Sequence, residues 1–137
     1  MNNAHSPLRE FAERYTKAWC SHDADAVASF FSPSGSLTIN GGAPATGRAA
    51  IADAARSFMN AFPDLIVEMD GLSERQGRTI YQWTLSGTNS GPGGSGRTVR
   101  ISGCEEWQIG ADGLVADSQG HFDDADYRRQ IEGPRTF

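Results

Sequence analysis

Arg97–Ile109 reads RTVRISGCEEWQI, and its polarity alternates with a period of two. Ile101, Gly103, Glu105, Trp107 and Ile109 share one face of an extended chain, and Arg100, Ser102, Cys104, Glu106 and Gln108 share the other. The first face is the one that a layer of helices covers. It is apolar except for Glu105, and Gly103 beside it brings no side chain to fill the space. A carboxylate in such an interior is costly unless it is protonated, hydrogen-bonded or wetted by a cavity. Desolvation raises a carboxyl pKa, and the one lysine of the chain, Lys17, is far away in sequence. Two readings stand. Glu105 is an inward acid facing a partly empty, aromatic-lined interior, or it bonds a structural group or is turned to solvent by a bulge.

The stretches around this strand alternate in the same way. Leu65–Asp70, Arg78–Thr88 and Leu114–Phe122, separated by Gly-rich or Asp-Gly turns, predict further antiparallel strands in a meander. Two registers stay open for the last two. Tyr81, Trp83 and Leu85 oppose Ile80, Gln82, Thr84 and Ser86, while Ser118, Gly120 and Phe122 oppose Asp117, Gln119 and His121. If Ser118 and Gly120 point inward, they leave room there.

Helices occupy the first half of the chain. Leu8, Phe11, Ala12, Tyr15, Ala18 and Trp19 recur at three- and four-residue steps, which predicts an amphipathic helix from Ser6 to His22. Tyr15 and Trp19 on its buried stripe can present a phenol and an indole to the interior, where both seek a partner. Asp23 or Asp25 can cap a second helix carrying Val27, Phe30 and Phe31, which Ser32-Pro33-Ser34-Gly35 breaks. A short extended piece from Leu37 to Asn40 follows. Ile51, Ala54, Ala55, Phe58, Met59 and Phe62 mark a third helix, closed by Pro63. A last helix over Asp123–Ile131 has acids in its first turn and arginines toward its end, as the helix dipole favours. Helices followed by a meander give the α+β class. Gly91-Pro92-Gly93-Gly94-Ser95-Gly96 matches a nucleotide-binding glycine pattern in form only. A strand follows it, where a phosphate cradle needs a helix, so it reads as a hairpin loop.

The chain has 137 residues, with 12 Lys+Arg against 17 Asp+Glu and a net charge of −5. That length suits one domain spanning 1–137, able to bury roughly two thirds of its unfolded surface without a metal or disulfide. Lys and Arg nowhere gather into the basic stripe that nucleic acid requires. No apolar run is long enough for a membrane helix, and MNNAHSPLRE lacks the features of a secretory signal, so the expectation is a soluble cytoplasmic protein with no membrane partner. Cys20 and Cys104 read as small buried or half-buried hydrophobes rather than a disulfide or metal pair. No ligand set for a metal is apparent, and neither a metal nor an organic cofactor is expected. His5 and His22 read as surface residues.

The order of elements, with Phe11–Asp23 (FAERYTKAWCSHD), Ala61–Leu65 (AFPDL), Trp83–Thr88 (WTLSGT) and Asp112–Val115 (DGLV), resembles the NTF2-like superfamily, and within it the SnoaL-like polyketide cyclase and ketosteroid isomerase-like branches. The resemblance covers nearly the whole chain. It implies a cone, in which a curved antiparallel sheet wraps over the N-terminal helices around an apolar pocket, and a homodimer formed through the sheet. Against the isomerase branch it implies that Tyr15 stands at an oxyanion-hole tyrosine and Glu105 at an acid kept protonated. The general base of that branch falls near Ile39 or Asn40, neither of which titrates. Against the cyclases, the aspartate of the last strand falls near Gly120, with Ser118 where a histidine is common. His121 and Asp123 are replacement bases only if the last strand shifts register; otherwise they are a sheet edge and a helix N-terminus.

The expected site therefore has Glu105 and Tyr15 as the catalytic pair. Trp19, Phe58, Phe62, Trp83 and Trp107 are expected as apolar lining, with Asn40, Gly103, Ser118 and Gly120 beside them. Its ligand is expected to be a small apolar molecule bearing a carbonyl. Two function classes fit: a cofactor-free isomerase, cyclase or lyase, or a non-catalytic ligand-binding or dimerisation module. The fold alone does not choose between them.

Overall fold

A computed structural model describes residues 6–133. Helix α1 (Pro7–Cys20) starts where the Ser6 side chain accepts a hydrogen bond from Arg9 N, with Pro7 at the first helical position. It buries Ala12, Tyr15, Ala18 and Trp19, the stripe that the spacing predicts. His22 at φ 61° then turns the chain, and Asp23 caps α2 (Ala24–Ala28) through Ala26 N.

The second helix is shorter than its apolar pattern suggests. Phe31 is not helical; it opens β1 (Phe31–Ile39), so the Pro33-Ser34-Gly35 stretch lies within a strand. The strand tolerates it through a register irregularity between Phe31 and Ser36. A two-residue β2 (Ala45–Thr46) pairs antiparallel with β1 and leads into α3 (Arg48–Ala61). That helix buries Ile51, Ala52, Ala55 and Met59.

Four long strands follow: β3 (Ile66–Arg75), β4 (Arg78–Thr88), β5 (Thr98–Ile109) and β6 (Val115–Phe122). They pair antiparallel in sequence order, as the alternation predicts. Strand β3 runs five residues past the expected end at Asp70 because a bulge there absorbs one residue, Met69 facing Trp83 and Gly71 facing Gln82. Gln76 and Gly77, both with positive φ, make the tight turn into β4. The full order is β2-β1-β6-β5-β4-β3, and β1 lies parallel to β6, a pairing absent from a simple meander. The glycine stretch before Arg97 is the loop joining β4 to β5.

Helix α4 (Asp124–Glu132) is capped by Asp123 and docks through Gln130, whose amide donates to Arg100 O at 2.9 Å and accepts from Arg100 N at 2.6 Å. The sheet curves over α1 and α3, and the core between them holds Tyr15, Phe31, Tyr81 and Trp107, each at most 1% exposed. Of the two cysteines, Cys104 is half-buried, whereas Cys20 is exposed, contrary to expectation: it sits at the open end of α1, where its thiol bonds the Val67 backbone. His22 is exposed, and His5 lies outside the described residues.

Candidate functional site

On β5 the alternation resolves as the sequence predicts. Glu105 is buried on the face toward the helices, with Ile101 and Trp107. Three side chains converge on its carboxyl. Trp107 Nε1 donates to Oε1 at 3.0 Å, Ser118 Oγ donates to Oε1 at 2.8 Å, and Tyr15 Oη donates to Oε2 at 2.9 Å. The carboxylate is therefore hydrogen-bonded rather than paired with a cation, which is how the fold offsets its burial.

Burial still pushes the Glu105 carboxyl above its ordinary pKa, and the three donors pull it part of the way back. The Tyr15 phenol is driven well above its usual value, first by burial and then by the adjacent Glu105 charge, so it remains a donor. Donor and acceptor counts fix where a proton can sit. Trp107 Nε1 only donates, and with Ser118 it occupies Oε1. Oε2 takes Tyr15 alone and keeps capacity for a proton or one more donor.

Glu105 also forms part of the wall of a cavity of about 60 Å³ between the sheet and α3. That is several times the roughly 10–15 Å³ that admits one water. The wall is almost wholly apolar. Trp19 of α1, Phe58 of α3, Tyr81 and Trp83 of β4 and Phe122 of β6 supply aromatic surface, and Glu105 is the one carboxyl among the lining residues. Phe58, Trp83 and Phe122 of this wall are half-buried. The phenol of Tyr81 is tied to Thr16 Oγ1 at 2.5 Å, and burial raises its pKa.

The expected site residues divide into three groups. Trp19, Phe58, Trp83, Gly120 and Glu105 line the cavity. Tyr15, Trp107 and Ser118 do not; they are completely buried behind the carboxyl and hold it. Tyr15 is thus placed to act through Glu105 rather than beside it on a ligand, because the α1 stripe sets its ring against Phe30, Phe31, Tyr81 and Trp107.

Asn40, Phe62 and Gly103 form the third group, away from the cavity wall. Asn40, at φ 51°, clamps the end of β1, its Oδ1 accepting from Phe122 N at 2.9 Å. Phe62 is fully buried and packs edge-on to Tyr127 of α4. Gly103 leaves no void: the Trp83 ring lies where its side chain would be, 2.7 Å from an ideal Cβ position. His121 projects to the outer face and meets Glu106 Oε2 at 2.8 Å, and Asp123 caps α4, so neither serves as an inward base.

Phe122 and Tyr81 also line the cavity, although the sequence pattern does not single them out as site residues. Their inward placement follows from the pairing of Tyr81 with Glu105 and of Phe122 with Gly103. Among the described residues there is no group of three His, Cys, Asp or Glu side chains able to hold a metal ion, and no helix long and apolar enough to cross a membrane.

The profile of the SnoaL-like domain matches residues 12–118, a span running from α1 through Ser118. The chain belongs to the SnoaL-like family. No curated protein matches it in sequence. Solved structures share the architecture of this SnoaL-like chain. A protein with a ketosteroid isomerase-like fold from Catenulispora acidiphila, in complex with trimethylamine, is 14% identical, with a TM-score of 0.78 over 91% of this chain and 94% of its own. A putative SnoaL-like polyketide cyclase from Jannaschia is 18% identical, with a TM-score of 0.76 over 96% and 98%. TerC, co-crystallised with polyporic acid, is 16% identical, with a TM-score of 0.74 over 93% and 100%. At these identities the likeness speaks for the fold, which is the NTF2-like cone.

Proposed function

We propose that this SnoaL-like chain binds a small apolar carbonyl compound in its cone and catalyses a cofactor-free isomerisation, cyclisation or elimination, with Glu105 as the proton-transferring residue. The observation that supports this reading best is that Glu105 is the one carboxyl on an otherwise apolar cavity wall and retains acceptor capacity at Oε2. Relatives in this fold crystallised with trimethylamine and polyporic acid make a small-molecule ligand reasonable.

In the neutral form, a proton on Oε2 has Tyr15 as its one hydrogen-bonding neighbour, and that hydroxyl is placed to donate to the same carboxyl. The proton is available to a carbonyl oxygen in the cavity. In the ionised form, the same oxygen can take a proton from the carbon next to that carbonyl. The electron pair of the broken C–H bond moves onto the carbonyl oxygen, and the proton returns at a second carbon. Burial raises the Glu105 pKa, which favours the neutral form, while its three hydrogen-bond donors favour the ionised one. Tyr15, Trp107 and Ser118 are positioning residues for this step. Homodimerisation through the outer face of the sheet belongs to the same reading and is checked by sedimentation.

The test is a screen of carbonyl-bearing aromatics by thermal shift and mass spectrometry with the wild type and Glu105→Gln. Conversion by the wild type, reduced about 10²–10⁴-fold in a folded Glu105→Gln, is expected. Equal turnover by the two removes Glu105 from the mechanism. One observation favours a non-catalytic binding module instead: three internal donors already hold the Glu105 carboxyl in place. Stabilisation by ligand without any conversion selects that second reading.

A further inference from the structure

The aromatic side chains around Glu105 are arranged in pairs. Trp19 and Phe58 meet edge-to-face with centroids 6.3 Å apart, Trp83 and Phe122 meet similarly at 6.1 Å, and all four rings line the same cavity as Glu105. Tyr81 adds a fifth ring, its hydroxyl drawn away to Thr16. No Lys, Arg or His lines this cavity. Aromatic side chains and one carboxyl group, in a space lined by no Lys, Arg or His, supply the recognition chemistry of an organic ammonium ion. The ring quadrupoles attract its methyl or methylene groups, and the carboxylate neutralises its charge after desolvation.

We propose that the cavity binds small alkyl- or aryl-ammonium ions, with Glu105 as counter-ion and the Trp19/Phe58 and Trp83/Phe122 pairs as the surrounding aromatic surface. The proposal uses the cavity of the proposed function but concerns binding alone, so either can hold without the other. Tyr15 is the only side chain that donates to Oε2, whereas Trp107, Ser118 and, at 3.2 Å, Tyr15 all approach Oε1. The chain's net charge of −5 favours approach of a cation.

The cation must compete with a proton for Glu105, so its affinity depends on pH. The titratable groups facing the carboxyl are the phenols of Tyr15 from α1 and Tyr81 from β4, both raised by burial and neutral throughout the working range. Cys104, on the opposite face of β5, is likewise pushed up by burial and stays a thiol. Gly120 and Ser118 of β6 and the α3 residues on the wall carry no charge. Glu105 is then the group whose titration controls cation binding.

Phenyltrimethylammonium and its uncharged isostere tert-butylbenzene provide the probe pair, read through quenching of the Trp19 and Trp83 fluorescence. At pH 8 the cation is expected to bind at least about tenfold more tightly than the isostere. That preference should fall as pH is lowered through the Glu105 titration and should disappear in Glu105→Gln, which keeps the cavity shape. Equal affinities for the two probes, failure of the cation to bind, or a preference that survives low pH or Glu105→Gln would each overturn the proposal. The pH series on the wild type decides the matter alone if the variant fails to fold. None of these readings depends on turnover of a carbonyl compound, so a failed activity screen does not affect them.

Discussion

The phenolic hydroxyl of Tyr15 donates to Glu105 Oε2 at 2.9 Å, linking α1 to β5 across 90 residues of sequence. The bond is fully buried, and the phenol has no role in the cavity wall. It therefore serves the carboxylate, and its worth depends on whether that carboxylate is charged. Hydrogen bonds to an ionised acceptor contribute about 1.5–3 kcal/mol, roughly twice the neutral value.

Tyr15→Phe should accordingly destabilise the protein by about 1–3 kcal/mol at pH 8 and by less near pH 4.5, where Glu105 holds its proton. It should also raise the Glu105 pKa further, since one of the three donors that lower it is gone. Denaturant unfolding at the two pH values checks the first expectation, and carboxyl-resolved NMR titration checks the second. A loss of stability independent of pH would assign Tyr15 to packing alone.

Glu105 itself makes stability depend on pH with a definite sign. Its folded pKa lies above its unfolded value, so the native state holds the proton more tightly. This stabilising contribution is complete below the ordinary carboxyl value of about 4.5 and is lost as pH rises through the raised folded pKa. Relative to Glu105→Gln, the wild type should lose stability across that window and level off above it. Parallel stability–pH curves for the two proteins would show that Glu105 titrates normally.

Replacing Glu105 by Gln and by Ala should give different outcomes. The glutamine carbonyl can accept from Trp107 and Ser118, and its amide can donate to the Tyr15 oxygen, so the cost should stay below about 1.5 kcal/mol. Alanine leaves the Nε1–H of Trp107, a residue with no exposed surface, without its acceptor, and it enlarges the cavity. An unsatisfied buried donor costs about 1–3 kcal/mol before the void is counted. Chemical denaturation of the two variants should therefore rank Ala well below Gln; equal losses would mean that the Trp107 bond is energetically idle.

Much of this arrangement can be read from the residues in order. The bounds of β4, the inward face of β5 and the Tyr15–Trp19 stripe of α1 follow from periodicity, because period two and period 3.6 are local properties. The start of β1 at Phe31 does not follow. Its partner is β6, more than 75 residues later and parallel, so the strand exists through pairing that no local window contains. The same limit applies inside the site. Tyr15 and Glu105 both point inward, but only the packing of α1 on the sheet places the phenol behind the carboxyl rather than beside it. Gly103 illustrates the converse error, since a missing side chain opens space only if no neighbour enters it, and Trp83 does.

Gly103 and Gly120 both face inward from neighbouring strands, yet adding a methyl group should separate them sharply. An ideal Cβ on Gly103 would lie 2.2 Å from the backbone oxygen of His121 and 2.7 Å from Trp83 Cζ2. The oxygen belongs to the paired strand and cannot move without opening the β5–β6 ladder, so Gly103→Ala should cost about 1–3 kcal/mol or more. On Gly120 the nearest atoms, Thr38 O, Glu105 Cγ and Ile39 Cγ1, stand at 3.6–3.9 Å, ordinary contact distance. Gly120→Ala should fold with a stability within about 1 kcal/mol of the wild type while narrowing the cavity beside the carboxyl. Thermal unfolding and binding of the aromatic probes, measured on both variants, check this. A stable Gly103→Ala would mean that the β5–β6 ladder yields to the methyl group, and a Gly120→Ala whose ligand affinity is unchanged would mean that the space beside Glu105 is bounded by other residues.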